Sequence, residues 1–248
     1  MRGDTMNSII LNGVSSETIS GLLIQKLPPI TKPPKRVEIA TVDGRAGDII
    51  TDLGYAAYDR TATIGLHGTF DIDAVIAFFN SSGVAVFSNE PDKVYTYSVV
   101  NQIDFAKLIR FRTADVVFHV QPYKASATEG DIVVPSLSPA PTSRTVTVTN
   151  SGNTDAAPQI TLNYKKPLTL SVNGQPLLTV ALSNANYTVT IDANAMEAYN
   201  AAGLKNRLVT GDFSKFLLPP GENTITFDAG SEALSGASFD IRNYSRWV

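Results

Sequence analysis

The sequence from Lys26 to Gly54, KLPPITKPPKRVEIATVDGRAGDIITDLG, organises the rest of the chain. Because proline fixes φ and lacks a backbone N–H, the proline-rich start of this segment is predicted to lie extended or at a sheet edge. Val37, Ile39 and Val42 then alternate with polar residues, as in a half-buried strand. We interpret the segment as contact surface rather than core. Its prolines are Pro28, Pro29, Pro33 and Pro34.

A glycine-rich loop follows this strand, with the sequence Asp43-Gly44-Arg45-Ala46-Gly47-Asp48. Glycine adopts φ > 0 without strain, so such a loop allows Arg45 to project far from its own core. A salt bridge between subunits is a better interpretation of Asp43 and Asp48 than acid–base chemistry. An ordinary surface loop is the alternative, because loops vary in sequence and also carry function.

Composition sets the outer limits on structure and function. The chain has 248 residues, 43% of them hydrophobic and 17% charged, which is typical of one large or two smaller globular domains. Its net charge of −3 argues against a protein that binds nucleic acid by neutralising phosphates. The absence of cysteine excludes disulfides and cysteine-based zinc sites.

No segment for membrane insertion or export is evident. Apolar runs fall short of the roughly 20 residues that span a bilayer, and the N-terminus lacks an apolar segment of signal length, so we expect synthesis in a cytoplasm without export. The tripeptide Arg2-Gly3-Asp4 resembles an integrin ligand, which we interpret as a chance match.

The first part of the chain is predicted to be mostly short strands with one helix. Asp71 or Asp73 can cap that helix, its apolar positions fall on one face, and Gly83 can end it. The apolar positions are Val75, Ile76, Phe78 and Phe79. The predicted strands cover residues 8–11, 22–27, 36–42, 62–70, 94–100, 103–111 and 116–121.

Residues 125–142 mark the best domain boundary, because they are rich in Ser, Pro, Gly and Thr. Beyond them, Arg144 to Asn150 alternates cleanly between polar and apolar residues. Asn173-Gly174 is the strongest short hairpin signal, since a type I′ turn needs φ > 0 at both positions. Further strands are predicted over 168–172, 176–180, 187–191, 223–228 and 239–244, with a helical turn over 196–202, which indicates an antiparallel sandwich.

Several motifs, in this order, resemble the distal tail proteins of siphophages, the ring proteins at the tip of a long non-contractile tail. The family more often has Arg-Asp-Gly where this chain has Arg45-Ala46-Gly47-Asp48, which displaces the acidic residue. The matching N-terminal motifs are Leu11-Asn12-Gly13, the Pro-Pro-Ile at 28–30, Arg36 before Gly44 to Asp48, Ser88 to Tyr95, and Phe118 to Tyr123. Those of the second part are Thr149 to Asn153, Gly211 to Phe213, Leu218 to Asn223 and Arg246-Trp247.

The resemblance implies a mostly β protein of two domains. Residues 1–130 would form a β-sandwich-like ring domain with one helix, and 142–248 a galectin-like or carbohydrate-module-like antiparallel β-sandwich, joined by a linker over 131–141. In some members of the family the last strand folds back onto the first domain. Such a return would place residues 238–248 in the first domain, where Trp247 would fix them.

The resemblance also implies a structural role in the virion. Six copies would form a ring that joins the tail tube protein to the tail-tip spike or tail-associated lysin, leaves a channel for DNA, and offers a face to receptor-binding proteins. We predict that the ring interface includes the proline segment and the arginine loop. Its candidate residues are Pro28, Pro29, Pro33, Pro34, Asp43, Gly44, Arg45, Gly47 and Asp48.

Catalytic and ligand-binding signals are sparse. His67 and His119 each lie in a strand-like alternation without a second histidine or carboxylate at ligand spacing, so we predict no metal and no cofactor. Neither a phosphate-binding loop nor a serine elbow occurs, so no enzymatic activity is predicted. The alternatives are a carbohydrate-binding module that adsorbs to the cell wall, which lacks an aromatic platform here, and a wall hydrolase, which lacks an evident carboxylate pair.

Overall fold

The computed structural model describes residues 6–248, so Arg2-Gly3-Asp4 lies outside the described residues. The chain divides into a first unit that ends at Ala127 and a second unit of Thr128–Trp247. Both are built mainly from antiparallel strands, which confirms the predicted mostly β class. No helix among the described residues is long and apolar enough to cross a membrane.

The main sheet of the first unit has the strand order β2-β1-β7-β8-β9-β6-β3. The strands of this unit are β1 (Ile9–Leu11), β2 (Val14–Ser15), β3 (Leu22–Lys26), β4 (Lys35–Thr41), β5 (Asp48–Tyr55), β6 (Tyr58–Leu66), β7 (Ser82–Phe87), β8 (Lys93–Val99) and β9 (Thr113–Ser126). Its helices are α1 (Ile72–Phe79) and α2 (Phe105–Phe111).

Helix α1 forms where the sequence predicts it. The Asp71 carboxylate accepts hydrogen bonds from the backbone N–H groups of Asp73 at 3.0 Å and Ala74 at 3.1 Å, which satisfies donors that the first turn leaves free. Its buried side chains include Phe79, whose ring lies 6.4 Å from that of Phe118 on β9 in an edge-on contact. Val75, Phe78 and Phe79 are therefore core, as predicted, whereas Ile76 is exposed.

The predicted strand over 103–111 is wrong, because this segment forms α2. The Asp104 side chain accepts a hydrogen bond from the Lys107 backbone N–H at 2.8 Å, and Arg112 ends the helix with φ of 58°. Phe105, Leu108 and Ile109 have the three- and four-residue spacing of a helix face. That spacing and the cap outweigh the strand propensity of the isoleucine and phenylalanine residues.

The second unit is a β-sandwich of two sheets, with strand orders β10-β20-β12-β15-β16-β17 and β11-β19-β13-β14-β18. Its strands are β10 (Ile132–Val134), β11 (Ser143–Asn150), β12 (Gln159–Asn163), β13 (Leu168–Val172), β14 (Gln175–Val180), β15 (Thr188–Asp192), β16 (Glu197–Asn200), β17 (Gly203–Leu204), β18 (Val209–Gly211), β19 (Gly221–Asp228) and β20 (Ser238–Arg242). The short strand β21 (Arg246–Trp247) follows, outside these two sheets.

One cluster of buried side chains joins these two sheets. Phe227 of β19 stacks on Phe239 of β20, with ring centroids 3.9 Å apart. The Asn173-Gly174 hairpin is confirmed, with φ of 50° and 79° at its two turn residues. The helical turn predicted over 196–202 is wrong, because Met196 ends a turn with φ of 55° and Glu197–Asn200 then pairs with β15.

The last long strand belongs to the second unit. Ser238–Arg242 pairs with β12 on one side and with β10 on the other. Its inward side chains Phe239 and Ile241 complete the core of the sandwich, so Ser238–Arg242 is part of the second unit. The predicted return of the chain end, with Trp247, stays a prediction. Its neighbour β10 lies inside the segment predicted as a linker, so part of that segment is structured.

Candidate functional site

Strands β4 and β5 form a two-stranded ribbon of their own, which we call the arm (residues 35–55). The prediction that Val37, Ile39 and Val42 are half-buried is wrong, since their exposed fractions are 43%, 58% and 45%. The reason is that β4 pairs only with β5, and the described residues of the chain leave both faces of the ribbon uncovered.

Apolar residues of the two strands lie opposite each other across the ribbon. Ile39 lies opposite Ile50, and both are exposed, Ile50 to 66%. Because side chains alternate between the faces of a strand, Val37, Ile39 and Ile50 share one face, and Ile49 and Leu53 the other. An isolated two-stranded ribbon is at best marginally stable in water. A partner surface is therefore expected to cover the arm in its working assembly.

The arginine loop is the tip of the arm. Gly44 and Gly47 have φ of 82° and 80°, which permits the tight turn between the strands. Thr41 closes its base by donating a side-chain hydrogen bond to Asp48 at 3.1 Å. The candidate residues Asp43 to Asp48 are all exposed, and Arg45 forms no ion pair with another described residue. The interface that we assign to them stays a prediction.

The base of the arm carries an exposed ion pair between Lys35 and Asp52. Their hydrogen bond raises the pKa of Lys35 and lowers the pKa of Asp52. Both groups are fully exposed, so solvent screens this pair and it contributes little to stability. The pair therefore follows from the pairing of the two strands and is not a main source of their stability.

The four candidate prolines lie before the arm. Pro28 and Pro33 are buried, whereas Pro29 and Pro34 are exposed. The carbonyl of Pro34 accepts a hydrogen bond from the Ala56 N–H at 2.8 Å, which joins the two ends of the arm. The prolines thus form the base from which the arm projects, with two of them packed into their own unit.

Arg60 on β6 binds the proline segment through hydrogen bonds. Its Nη2 atom donates hydrogen bonds to the carbonyls of Pro28 at 3.3 Å and Pro29 at 3.1 Å. Asn89 donates a further hydrogen bond to the carbonyl of Pro28 at 2.9 Å. Carbonyls of a proline segment have no ladder partner, so these side-chain donors determine where the segment lies.

Arg60 is 2% exposed and belongs to a buried charged cluster that we call the anchor (Arg60, Glu90, Tyr95 and Lys124). Glu90 lies 3.5 Å from Arg60 and 3.0 Å from Lys124, and it accepts a hydrogen bond from the Tyr95 hydroxyl. The Arg60 guanidinium packs against the ring of Tyr95, at 4.4 Å from its centroid. Burial, and then this hydrogen bond to Glu90, raise the pKa of Tyr95.

Glu90 is the single carboxylate of the anchor and faces two cations, so the stability of the anchor depends on Glu90. The Nε and Nη1 atoms of Arg60 are buried and make no hydrogen bond with any residue described, so the charge of Arg60 is compensated by Glu90, the ring of Tyr95 and the two proline carbonyls bound by Nη2. Removing the only anion from such a cluster leaves uncompensated buried charge. The anchor therefore depends on Glu90, and it binds the proline segment at the base of the arm.

Sequence reasoning identified the segment that contains Glu90 but not its role. A usable signal was present in the strand alternation. Arg60 alternates in step with the buried Ala62 and Ile64. Lys124 alternates in step with the buried Val116, Phe118, Val120 and Pro122. A cation at an inward strand position requires an anion or carbonyls inside the fold.

Neither histidine forms part of a metal site. His119 pairs with Asp59 across the sheet at 2.7 Å, and both side chains are largely exposed. His67 is exposed beyond the end of β6. Among residues 6–248, no group of three or more His, Cys, Asp or Glu side chains could hold a metal ion.

The second unit contains a carboxyl group that titrates unusually. Glu129 Oε2 accepts a hydrogen bond from the Ser245 N–H at 3.1 Å, while its buried Oε1 has no partner among the described residues. Burial raises the pKa of Glu129 to about 7, from an ordinary value of 4.5. Tyr244 adjoins this carboxyl group, and Asp131 nearby pairs with Arg242.

We expect the second unit to lose stability as pH rises from about 5 to about 8. The folded state holds the Glu129 proton more tightly than the unfolded chain, so its stabilising contribution disappears as pH passes through about 7. Melting temperatures of the wild type and Glu129→Gln at pH 5 and pH 8 check this. The variant should show the smaller loss, with Glu222→Gln, an exposed carboxylate, as the control. Equal losses in all three proteins would contradict the assignment.

Comparison with solved structures shows which fold the chain has. No protein-family model and no curated protein sequence matches the chain. The chain is similar to the solved structure of Dit (gp 19.1) from phage SPP1, with a TM-score of 0.64 and 13% identity over 98% of this chain and 100% of that one. The chain has the fold of a phage Dit protein.

The Dit fold confirms the resemblance to siphophage distal tail proteins at the level of structure. SPP1 Dit is described as a paradigm of the hub adsorption apparatus in phages that infect Gram-positive bacteria. The chain is also similar to the baseplate of phage P2 in its activated conformation with Ca, with a TM-score of 0.42 and 10% identity over 98% of each chain.

Proposed function

We propose that this protein is the structural hub of a siphophage tail tip. Six copies form a ring that joins the tail tube to the tail-tip spike or tail-associated lysin and leaves a central channel for DNA. The ring also offers a docking face to receptor-binding proteins. The protein is made in the cytoplasm of a bacterial, Gram-positive host and acts in the virion.

The observation that carries this proposal is the arm, which exposes Ile39 and Ile50 at 58% and 66%. A ring needs two different surfaces that meet between neighbouring subunits. The arm is one such surface, because it exposes several apolar side chains, is left uncovered by the described residues, and is fixed at its base by Arg60. Similarity to SPP1 Dit over 98% of the chain supports the same role.

The charge of the protein fits a passage for DNA better than a binding site. Its net charge is −3, and affinity for nucleic acid rises with the number of phosphates that lysine and arginine neutralise. A wall without a basic face lets DNA pass without retaining it. DNA is therefore proposed as cargo of the channel and not as a ligand.

Arg45→Ala is expected to weaken the ring while leaving the monomer folded. The exposed guanidinium can form a bidentate contact with a carboxylate across the interface, which contributes about 2 kcal/mol where it is desolvated. Native mass spectrometry over a concentration series measures the assembly. Arg110→Ala, on the exposed surface of α2, serves as the matched control. A ring equally stable in Arg45→Ala would place the interface elsewhere, and a wild type that stays monomeric would contradict self-assembly.

We also propose that the protein has no hydrolase activity of its own. A glycosidase of the usual kind needs two carboxyl groups about 5 to 10 Å apart in a cleft, and the acidic residues that sequence analysis singled out act as a cap or lie on the arm. Cell-wall digestion by the purified protein should release no soluble fragments. Release that disappears when a single carboxylate is changed to alanine would contradict this proposal.

A further inference from the structure

The first unit carries an apolar groove beside α1 that residues 6–248 leave open. Its volume is about 370 Å³, within the range of about 300 to 1,000 Å³ that is typical of binding pockets. One wall comes from the segment around β1 and β2 and the other from α1. Its apolar lining consists of Leu11, Val14, Ile19, Ala74, Ala77 and Phe78.

Two exposed acidic residues adjoin the lining of the groove in sequence, and we call them its acidic rim (Glu17 and Asp73). Glu17 lies between the lining residues Val14 and Ile19, and Asp73 directly precedes the lining residue Ala74. Both are exposed, and neither forms an ion pair with another residue in the described range 6–248. The segments that supply the walls, 7–25 and 61–92, contain no lysine or arginine.

The arm has the complementary character. One face exposes Val37, Ile39 and Ile50, which no other described residue covers, and its tip carries Arg45 without an ion-pair partner among the described residues. At about 3.3 Å per residue, the seven residues of β4 extend about 23 Å from the base. That length suffices to reach an adjacent molecule of the size of one unit.

We infer that the groove of one copy receives the arm of a second copy of this chain. Ile39 and Ile50 of the arm enter the groove, and Arg45 reaches the acidic rim at Glu17 and Asp73. The two surfaces differ, so the contact is heterologous and can close into a ring. The inference rests on the proposed ring and names the surface that completes its interface.

The absence of cysteine from the chain makes a direct test possible. The variants Ile39→Cys and Ala77→Cys are purified separately, mixed, and treated with a short bis-maleimide. We expect a cross-linked dimer from the mixture. Ile39→Cys mixed with Ala106→Cys, whose cysteine lies on the exposed surface of α2, should give at least tenfold less.

A second measurement tests the groove without a cross-linker. Ala77→Arg places a long cation in the groove, and Ala106→Arg makes the same change on α2. We expect the concentration at which Ala77→Arg assembles to rise at least tenfold, and that of Ala106→Arg to match the wild type. Circular dichroism and the melting temperature confirm that both variants fold.

The outcomes separate this inference from the proposed ring. If the wild type forms a ring but Ile39→Cys links to Ala77→Cys no better than to Ala106→Cys, the groove is not the receiving surface and the ring remains. Assembly of Ala77→Arg at the wild-type concentration would overturn the inference in the same way. A wild type that stays monomeric at the cross-linking concentration would overturn both.

Discussion

Glu90→Ala is expected to lower the free energy of unfolding of the first unit by about 3 to 5 kcal/mol, the usual cost of removing one partner of a buried ion pair. Arg60 and Lys124 are 2% and 7% exposed, and Glu90 is the carboxylate that both contact. Its removal leaves two cations inside the unit. Urea denaturation followed by circular dichroism measures the loss.

The matched control for this change is Glu38→Ala, which removes an exposed carboxylate from the arm. It should alter the free energy of unfolding by less than about 0.5 kcal/mol. A loss below about 1 kcal/mol in Glu90→Ala would mean that solvent reaches the anchor. Because Arg60 also binds the carbonyls of Pro28 and Pro29, the same variant should release the base of the arm and weaken assembly.

Phe239→Ala should destabilise the second unit by about 3 to 5 kcal/mol, the range for truncating a large aromatic core residue. Phe239 is 1% exposed and stacks on Phe227 from the opposite sheet, so its removal leaves a cavity between the two layers. Thermal or urea unfolding measures the change.

Tyr187→Ala, at a 52% exposed aromatic of the same unit, is the control and should cost much less. This comparison also tests the position of β20, which the sequence left open between the two units. If Phe239→Ala were no more destabilising than Tyr187→Ala, the strand would not be part of the sandwich core.

The anchor and the arm have different roles: we assign stability of the first unit to the anchor and assembly to the arm. The anchor binds the proline segment through a buried cluster, whereas the arm beyond it contributes almost nothing to the core of its own unit. Exposed strands risk indiscriminate pairing, and charged residues and prolines limit that risk. Lys35, Arg36 and Glu38 on β4 serve this purpose until a specific surface covers the arm.

Local features were readable from sequence because their causes are local. The Asp71 cap needs only the backbone of the next turn, and the Asn173-Gly174 turn needs only two residues that tolerate φ > 0. The alternation over 144–150 likewise reports its two faces directly. The order of weak motifs along the chain indicated the Dit fold, although no single motif was specific.

Only the tertiary structure shows which elements pack against a given face of a strand or helix, and therefore which side chains are buried. Alternation showed that Val37 and Ile39 share a side, but not that the described part of the chain leaves that side exposed. The anchor joins Arg60, Glu90 and Lys124 from three separate strands and turns, and no local pattern records that meeting. The placement of Ser238–Arg242 was equally open until its pairing with β12 was known. Sequence periodicity describes one element at a time, whereas burial is a property of the elements that pack against it.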